Sequence, residues 1–219
     1  MSPATAIVFV VDDDISVRES LELLILSGGW QPETFASAQQ FLGRPRAVVP
    51  SCLVLDVSLP GLNGLELQER IGVERSDMPI IFVTGHGNVP MTVRAMKAGA
   101  VEFLTKPFSE DALLNAIRLA LKRSESALVR ERELHVLREA YASVTPRERE
   151  VMRLVVSGLL NKQVGAELGI SEITVKAHRG SLMRKMKADS LPDLVHMAAR
   201  LGLPSGSRTK ARAATDTLV

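Results

Sequence analysis

The sequence predicts an α/β domain, a doubly wound five-stranded parallel sheet, followed by a smaller all-α domain of four helices. Three observations carry this. Short continuous apolar runs alternate with amphipathic stretches through the first half, the pattern of a parallel sheet covered on both faces. From Thr145 onward the punctuation is that of helices alone. Charge also divides along the chain: residues 1–123 hold 11 Lys/Arg against 14 Asp/Glu, a net of −3, whereas residues 144–219 hold 13 against 7, a net of +6. An acidic half beside a basic third points to a cation site in one and a polyanion partner for the other.

Ile7–Val11, Cys52–Leu55 and Ile80–Val83 read as buried strands because they are continuous and β-branched; shorter strands are expected at Gln31–Phe35 and Val101–Leu104. Between them lie helical patterns at Ile15–Leu26, Ser37–Leu42, Leu65–Val73 and Val89–Ala98. From Ser109 to about Ala142 there is neither proline nor glycine, and Leu113, Ile117, Leu121, Leu128, Leu134 and Leu137 recur at helical spacing, so one long helix is expected. Its first part should pack on the sheet, and its Arg- and Glu-rich later part should leave the domain as a solvated linker.

In the basic third, Thr145-Pro146-Arg147-Glu148 is a capping box with proline at the first helical position, starting a helix that runs to Ser157. Asn161–Leu168 follows, closed by Gly169; Ser171 caps a third helix through Met186, and Ser190 caps a fourth, Leu191–Leu201. The expected organisation is an α/β domain at 5–123, a helical linker at 124–143, a helical domain at 144–203 and a disordered tail at 204–219. The single cysteine, Cys52, sits in an apolar run and excludes an intramolecular disulfide. No apolar stretch approaches the roughly 18 residues that span a bilayer, so no membrane association is expected and the chain is read as cytoplasmic.

Asp12, Asp13 and Asp14 follow the first strand and Asp56 ends the third. In an open parallel sheet these strands are neighbours at the switch point, where functional groups collect beyond the carboxyl ends. Crowded carboxylates repel, and a divalent cation relieves that; a shallow site of few carboxylates plus a carbonyl suits Mg²⁺. Thr84 and Lys106 fall at the ends of two further strands in the same row. A hydroxyl and an ammonium facing acids around a cation are what a phosphoryl group on Asp56 would need. Three Asp in a row also make an ordinary helix start; it is the placement of all these groups at matching strand ends that favours a phosphate-accepting site.

Here the chain resembles response-regulator receiver domains over about residues 5–123. The matching elements are Val11-Asp12-Asp13-Asp14, Leu55-Asp56-Val57-Ser58-Leu59-Pro60-Gly61, Thr84-Gly85-His86-Gly87, Lys97-Ala98-Gly99-Ala100 and Lys106-Pro107-Phe108. The Thr84–Met91 stretch looks particularly like the FixJ branch. The resemblance implies a flavodoxin/CheY-like sheet of order 2-1-3-4-5 and Asp56 as acceptor of a phosphoryl group from a sensor histidine kinase. It further implies Mg²⁺ held by Asp13, Asp56 and the Ser58 carbonyl, with Asp12 acting through water. Thr84 and Phe103 would be the switch residues, Lys106 the partner of the phosphoryl group, and the Lys106-Pro107 bond cis. His86, between glycines, reads as part of a loop rather than as a catalyst.

Two other α/β readings compete. A phosphatase forming an aspartyl-phosphate would place a second acid two residues after its nucleophile, where this chain has Ser58. A dinucleotide-binding fold would need a glycine fingerprint after the first strand, where this chain has Asp12-Asp13-Asp14. The chain is therefore read as a phosphate acceptor rather than a multiple-turnover enzyme.

In the C-terminal third, two helices joined at Gly169-Ile170, the second rich in Lys and Arg, have the geometry that presents a helix to the major groove. Ile173, Val175, Leu182 and Met186 are expected to face the core. Thr145–Val151, Gly158–Val164, Leu168–Ser171 and Thr174–Arg179 closely resemble the LuxR/NarL-type helix-turn-helix, over about 143–203. That resemblance implies Lys176, Ala177 and Gly180 towards base edges and Lys162, Thr174, Arg179 and Lys185 near phosphates of double-stranded promoter DNA. Gly180, where relatives often carry a larger residue, and Gly165, in place of the usual alanine, depart from the pattern. RNA or protein is the competing partner for such a basic module. Taken together the chain is expected to be a transcriptional response regulator of a two-component system, dimerising when phosphorylated.

Overall fold

A computed structural model describes residues 5–85 and 87–204, with the backbone alone given at 73 and 74. His86 and the tail beyond Pro204, and the expectations stated for them, lie outside these residues. The chain divides into two compact units, at residues 1–130 and 131–219.

The first unit runs β1 (Ile7–Val11), α1 (Ile15–Ser27), β2 (Gln31–Phe35), α2 (Ala38–Leu42), β3 (Ser51–Asp56), α3 (Gly64–Glu74), β4 (Ile80–Thr84), α4 (Val89–Lys97), β5 (Glu102–Thr105) and into α5 (Glu110–Ala142). The sheet is parallel throughout, in the order β2-β1-β3-β4-β5. The central strands β1, β3 and β4 carry apolar runs because both faces are covered, whereas the edge strands β2 and β5 mix in polar residues. Phe9, Val11, Leu53, Leu55 and Phe82 point to a core shared with Phe41, Leu67, Ile71 and Ala95. Val8, Val10, Cys52, Val54, Ile81 and Val83 point to the opposite core, with Leu21, Ile25, Leu113 and Ile117.

Helix starts follow the local chemistry. Asp14, Ser37 and Asn88 each cap a helix by accepting a backbone N–H, and Asn63 does so within a capping box completed by Glu66. Helix α5 is continuous, as its spacing predicts. The stretch expected to be a solvated linker is mostly exposed, Val129 and Val136 included, but buries Leu128, 4% exposed, and Leu137, 7%. Ser124, fully buried, accepts a hydrogen bond at its Oγ from the Ser51 N–H at 3.0 Å, tying α5 to the first residue of β3.

The second unit contains α6 (Pro146–Val156), α7 (Asn161–Leu168), α8 (Glu172–Met186) and α9 (Leu191–Arg200). Leu137 joins Val144, Met152, Leu182, Met186 and Leu194 in one cluster; Val151, Val155, Val164 and Val175 form another. The capping box at Thr145 and Glu148 is present, and Gly169 closes α7 with φ +66°. That left-handed turn is one glycine reaches without strain.

Candidate functional site

Strand register assembles the acidic pocket. Val11 lies opposite Leu55, so Asp12 and Asp56 leave neighbouring strands side by side. Asp56 lies opposite Val83, which sets Thr84 next in the row, and Thr84 lies opposite Thr105, which brings Lys106 to the same end. Carboxylate oxygens of Asp12, Asp13 and Asp56 all lie within 4.8 Å of one another. Asp12 and Asp56 are buried while Asp13 is exposed, so the cluster opens to solvent on one side.

The Lys106 ammonium donates to Asp12 Oδ2 at 2.7 Å and lies 3.7 Å from Asp56 Oδ2. Asp12 Oδ1 also accepts from the Asp14 N–H at 3.0 Å, and the Ser58 N–H donates to Asp56 Oδ1 at 3.0 Å. Asp14 is not part of the cluster: Ser16 donates to it from both hydroxyl and backbone, which holds its carboxyl below the usual range and marks it as the cap of α1. One ammonium against three carboxylates leaves the pocket electron-rich, and an oxygen-only donor set of this size fits a hard divalent cation such as Mg²⁺.

Thr84 is fully buried, and Phe103 on β5 is half-buried against Phe82, with ring centroids 5.9 Å apart. Gly64 begins α3 hard against the backbone of Asp56; a Cβ there would lie 2.3 Å from the Asp56 carbonyl oxygen. The Lys106-Pro107 bond is cis, as the resemblance implies.

In the helical unit, Lys162, Lys176, Ala177 and Gly180 are exposed, and Thr174 and Arg179 are half-buried. Arg179 reaches across the turn to donate to Asn161 Oδ1 at 2.7 Å, and Lys176 pairs with Glu172 at 3.2 Å. Lys185 donates at 2.7 Å to Glu148, which is 4% exposed. Burial opposes the Glu148 charge, but hydrogen bonds from Lys185, Ser181 and Thr145 outweigh it and hold the carboxyl at about 2. Sequence reasoning missed this buried pair; the only trace of it is the capping-box glutamate, whose usual surface role hides a second one.

One expectation is overturned. Ile173 does not face the core with Val175, Leu182 and Met186; it is 79% exposed. Residues two apart on a helix lie about 200° apart, so Ile173 and Val175 cannot share a face. The departure at Gly165 has a steric basis: its Cβ would lie 2.7 Å from the Ile170 carbonyl oxygen, inside the tight α7–α8 turn.

Residues 8–118 match the response regulator receiver domain family, and residues 142–198 match the luxR family of bacterial regulatory proteins. Nodulation protein W of Bradyrhizobium diazoefficiens is 51% identical over 198 residues, covering 90% of this chain and 87% of that protein. The solved structure of the response regulator StyR superposes with a TM-score of 0.76 at 49% identity, over 90% of this chain and all (100%) of that one. Full-length FixJ from B. japonicum gives 0.54 at 41% identity, over 92% and 98%. With the sheet order, the acidic pocket and the helix-turn-helix already in place, these similarities identify the family: the chain belongs to the two-component response regulators that join a receiver domain to a LuxR-type DNA-binding domain.

Proposed function

We propose that this regulator is a transcription factor switched by phosphorylation of Asp56. The observation that carries the proposal is the position of Lys106, held between Asp12 and Asp56 at the open end of a three-carboxylate cluster. The phosphodonor is a phosphohistidine on a sensor histidine kinase. An Asp56 carboxylate oxygen attacks phosphorus, the phosphorus–nitrogen bond breaks, and the departing imidazole keeps the electron pair and is protonated from solvent. The product is an acyl phosphate on Asp56.

Asp13, Asp56 and the Ser58 carbonyl would hold Mg²⁺, with Asp12 acting through water; the cation supplies positive charge against the phosphoryl oxygens. The chain's own residues do the rest. Lys106 shifts its donation from Asp12 to a phosphoryl oxygen, the Thr84 hydroxyl donates to another, and Phe103 follows Thr84 inward. Ser58, standing where a phosphatase would carry a second acid, cannot activate water, so the acyl phosphate persists as a signal and no enzymatic turnover is assigned.

The consequence is read on α4 and β5. Val89, Val93 and Met96 leave α4 with an exposed apolar row, a surface suited to a homodimer of phosphorylated chains. Moving the population from mostly inactive to mostly active takes about 5.5 kcal/mol of differential stabilisation, within reach of a dianion held by a cation and a lysine. The helix-turn-helix then binds double-stranded promoter DNA, with Lys162, Thr174 and Arg179 near phosphates and Lys176, Ala177 and Gly180 at base edges. Lys185, engaged by Glu148, serves chiefly to hold α8 in place and contributes to phosphate binding only by its charge. Among the described residues no helix is long and apolar enough to cross a membrane, and the assigned place of work is the cytoplasm.

Incubation with Mg²⁺ and acetyl phosphate tests this. Wild type should take up one acid-stable, base-labile phosphoryl group and gain affinity for promoter DNA; Asp56→Asn should do neither. Phosphate uptake by Asp56→Asn, or promoter affinity indifferent to phosphorylation in wild type, would overturn the reading.

A further inference from the structure

We propose that Ile173 is a specificity-determining residue that reads thymine in the DNA major groove through its 5-methyl group. The proposal rests on the LuxR-type module docking α8 into duplex DNA, and it adds the chemistry of what that helix recognises.

Ile173 is the most exposed large hydrophobic residue of the described chain, at 79%. It is no loose end of the core. At about 100° per residue, Ile173, Ala177, Gly180 and Arg184 lie along one line of α8, diametrically opposite the buried line of Val175, Leu182 and Met186. An exposed β-branched residue also has lower helix propensity than alanine, so nothing local to the helix explains it.

The rest of that outward face defines its partner. Ala177 is small, and Gly180 has open space where a side chain would stand. Arg179 is turned away to Asn161, and Lys176, at the flank, is paired with Glu172. Between Ile173 and Gly180 that line therefore offers no side-chain hydrogen-bond donor for the bidentate contacts that identify guanine or adenine. The base feature such a surface can recognise is the one apolar group in the major groove, the thymine methyl. The small residues at 177 and 180 allow the backbone to come close enough for Ile173 to reach it. Lys176 beside that line and Arg184 at its far end add positive charge, which matches a polyanion carrying methyl groups rather than an apolar protein surface.

The test uses the full chain activated with beryllofluoride and Mg²⁺. Duplexes are selected from a random pool, and each thymine of the selected site is replaced in turn by deoxyuridine, which removes the methyl and leaves the hydrogen-bonding edge intact. For wild type, one thymine per half-site should show about fourfold weaker binding on replacement, the worth of one buried methyl. Ile173→Ser should abolish the penalty at that thymine while any penalty elsewhere persists, and Ile173→Val should retain it. The side chain is exposed, so an unchanged melting temperature is expected in both variants.

A deoxyuridine scan with no sensitive position, or a penalty that survives Ile173→Ser, overturns the inference. So does an Ile173→Ser protein that binds the site equally with and without activation while keeping the wild-type scan, because Ile173 would then cover a contact within the protein. Failure of the reading beneath it looks different: wild type would select no duplex at all, or bind with an affinity that does not fall steeply with salt.

Discussion

Lys185 and Glu148 meet at 2.7 Å between α8 and α6, with the carboxylate 4% exposed. Helix α8 is thereby pinned to α6 by a charge-assisted bond. The same glutamate completes the capping box of α6, so one side chain sets both the start of one helix and the seat of another.

Glu148→Gln should destabilise the helical unit by about 2 kcal/mol at neutral pH, the usual worth of a hydrogen bond to a charged group. The carboxyl lies at about 2 in the folded chain against an ordinary value of 4.5. A depressed carboxyl contributes in full above the unfolded value, and that contribution is lost as pH falls from about 4.5 towards 2. Denaturant unfolding of wild type and variant should therefore diverge at neutral pH and converge in acid.

Two glycines of the helix-turn-helix should respond with opposite signs. Gly180→Ala meets open space in a helix interior and should stabilise by about 1 kcal/mol. Gly165→Ala drives a methyl to 2.7 Å from the Ile170 carbonyl oxygen and should destabilise by about 1–3 kcal/mol, despite the better helix former. Thermal unfolding checks both, and Gly165→Ala should also weaken DNA binding, because it moves α8 on its turn.

Ser124→Ala should cost about 2 kcal/mol. It removes no charge and little volume, but it leaves the buried Ser51 N–H without its acceptor. Amide exchange at Ser51 should accelerate more than at Leu53, whose N–H is held by the Pro79 carbonyl.

Gly64→Ala should slow phosphorylation of Asp56 by acetyl phosphate between about ten- and a hundredfold. A Cβ at 2.3 Å from the Asp56 carbonyl oxygen cannot be accommodated without moving the acceptor's backbone, and small misplacements of a nucleophile carry penalties of that size. Stopped-flow measurement of the phosphorylation rate decides it.

Most of the fold was legible in the sequence because the signals were redundant. The three central strands were unbroken apolar runs, most helix starts carried Asp, Ser, Asn or Thr in the capping position, and the acidic residues fell at strand ends where register alone assembles them. Where a single signal had to decide, reading went astray. The Arg- and Glu-rich part of α5 is mostly exposed, as its charges suggest, but Leu128 and Leu137 are buried on faces about 180° apart, which the outnumbering charges hide. Ile173 was assigned to the core by its hydrophobicity, although its two-residue offset from Val175 already forbade a shared helical face. The Lys185–Glu148 pair joins residues far apart in sequence, and no local pattern announces it.

The three carboxylates gathered at Asp12, Asp13 and Asp56 also weigh on the folded state itself. Their mutual repulsion, only partly offset by Lys106, is relieved in the unfolded chain, where they drift apart, so it subtracts from the stability that the core supplies. Thermal endurance and signalling competence are in this sense rivals. Neutralising Asp13 should raise the melting temperature in a chelating buffer while dulling the response to Mg²⁺.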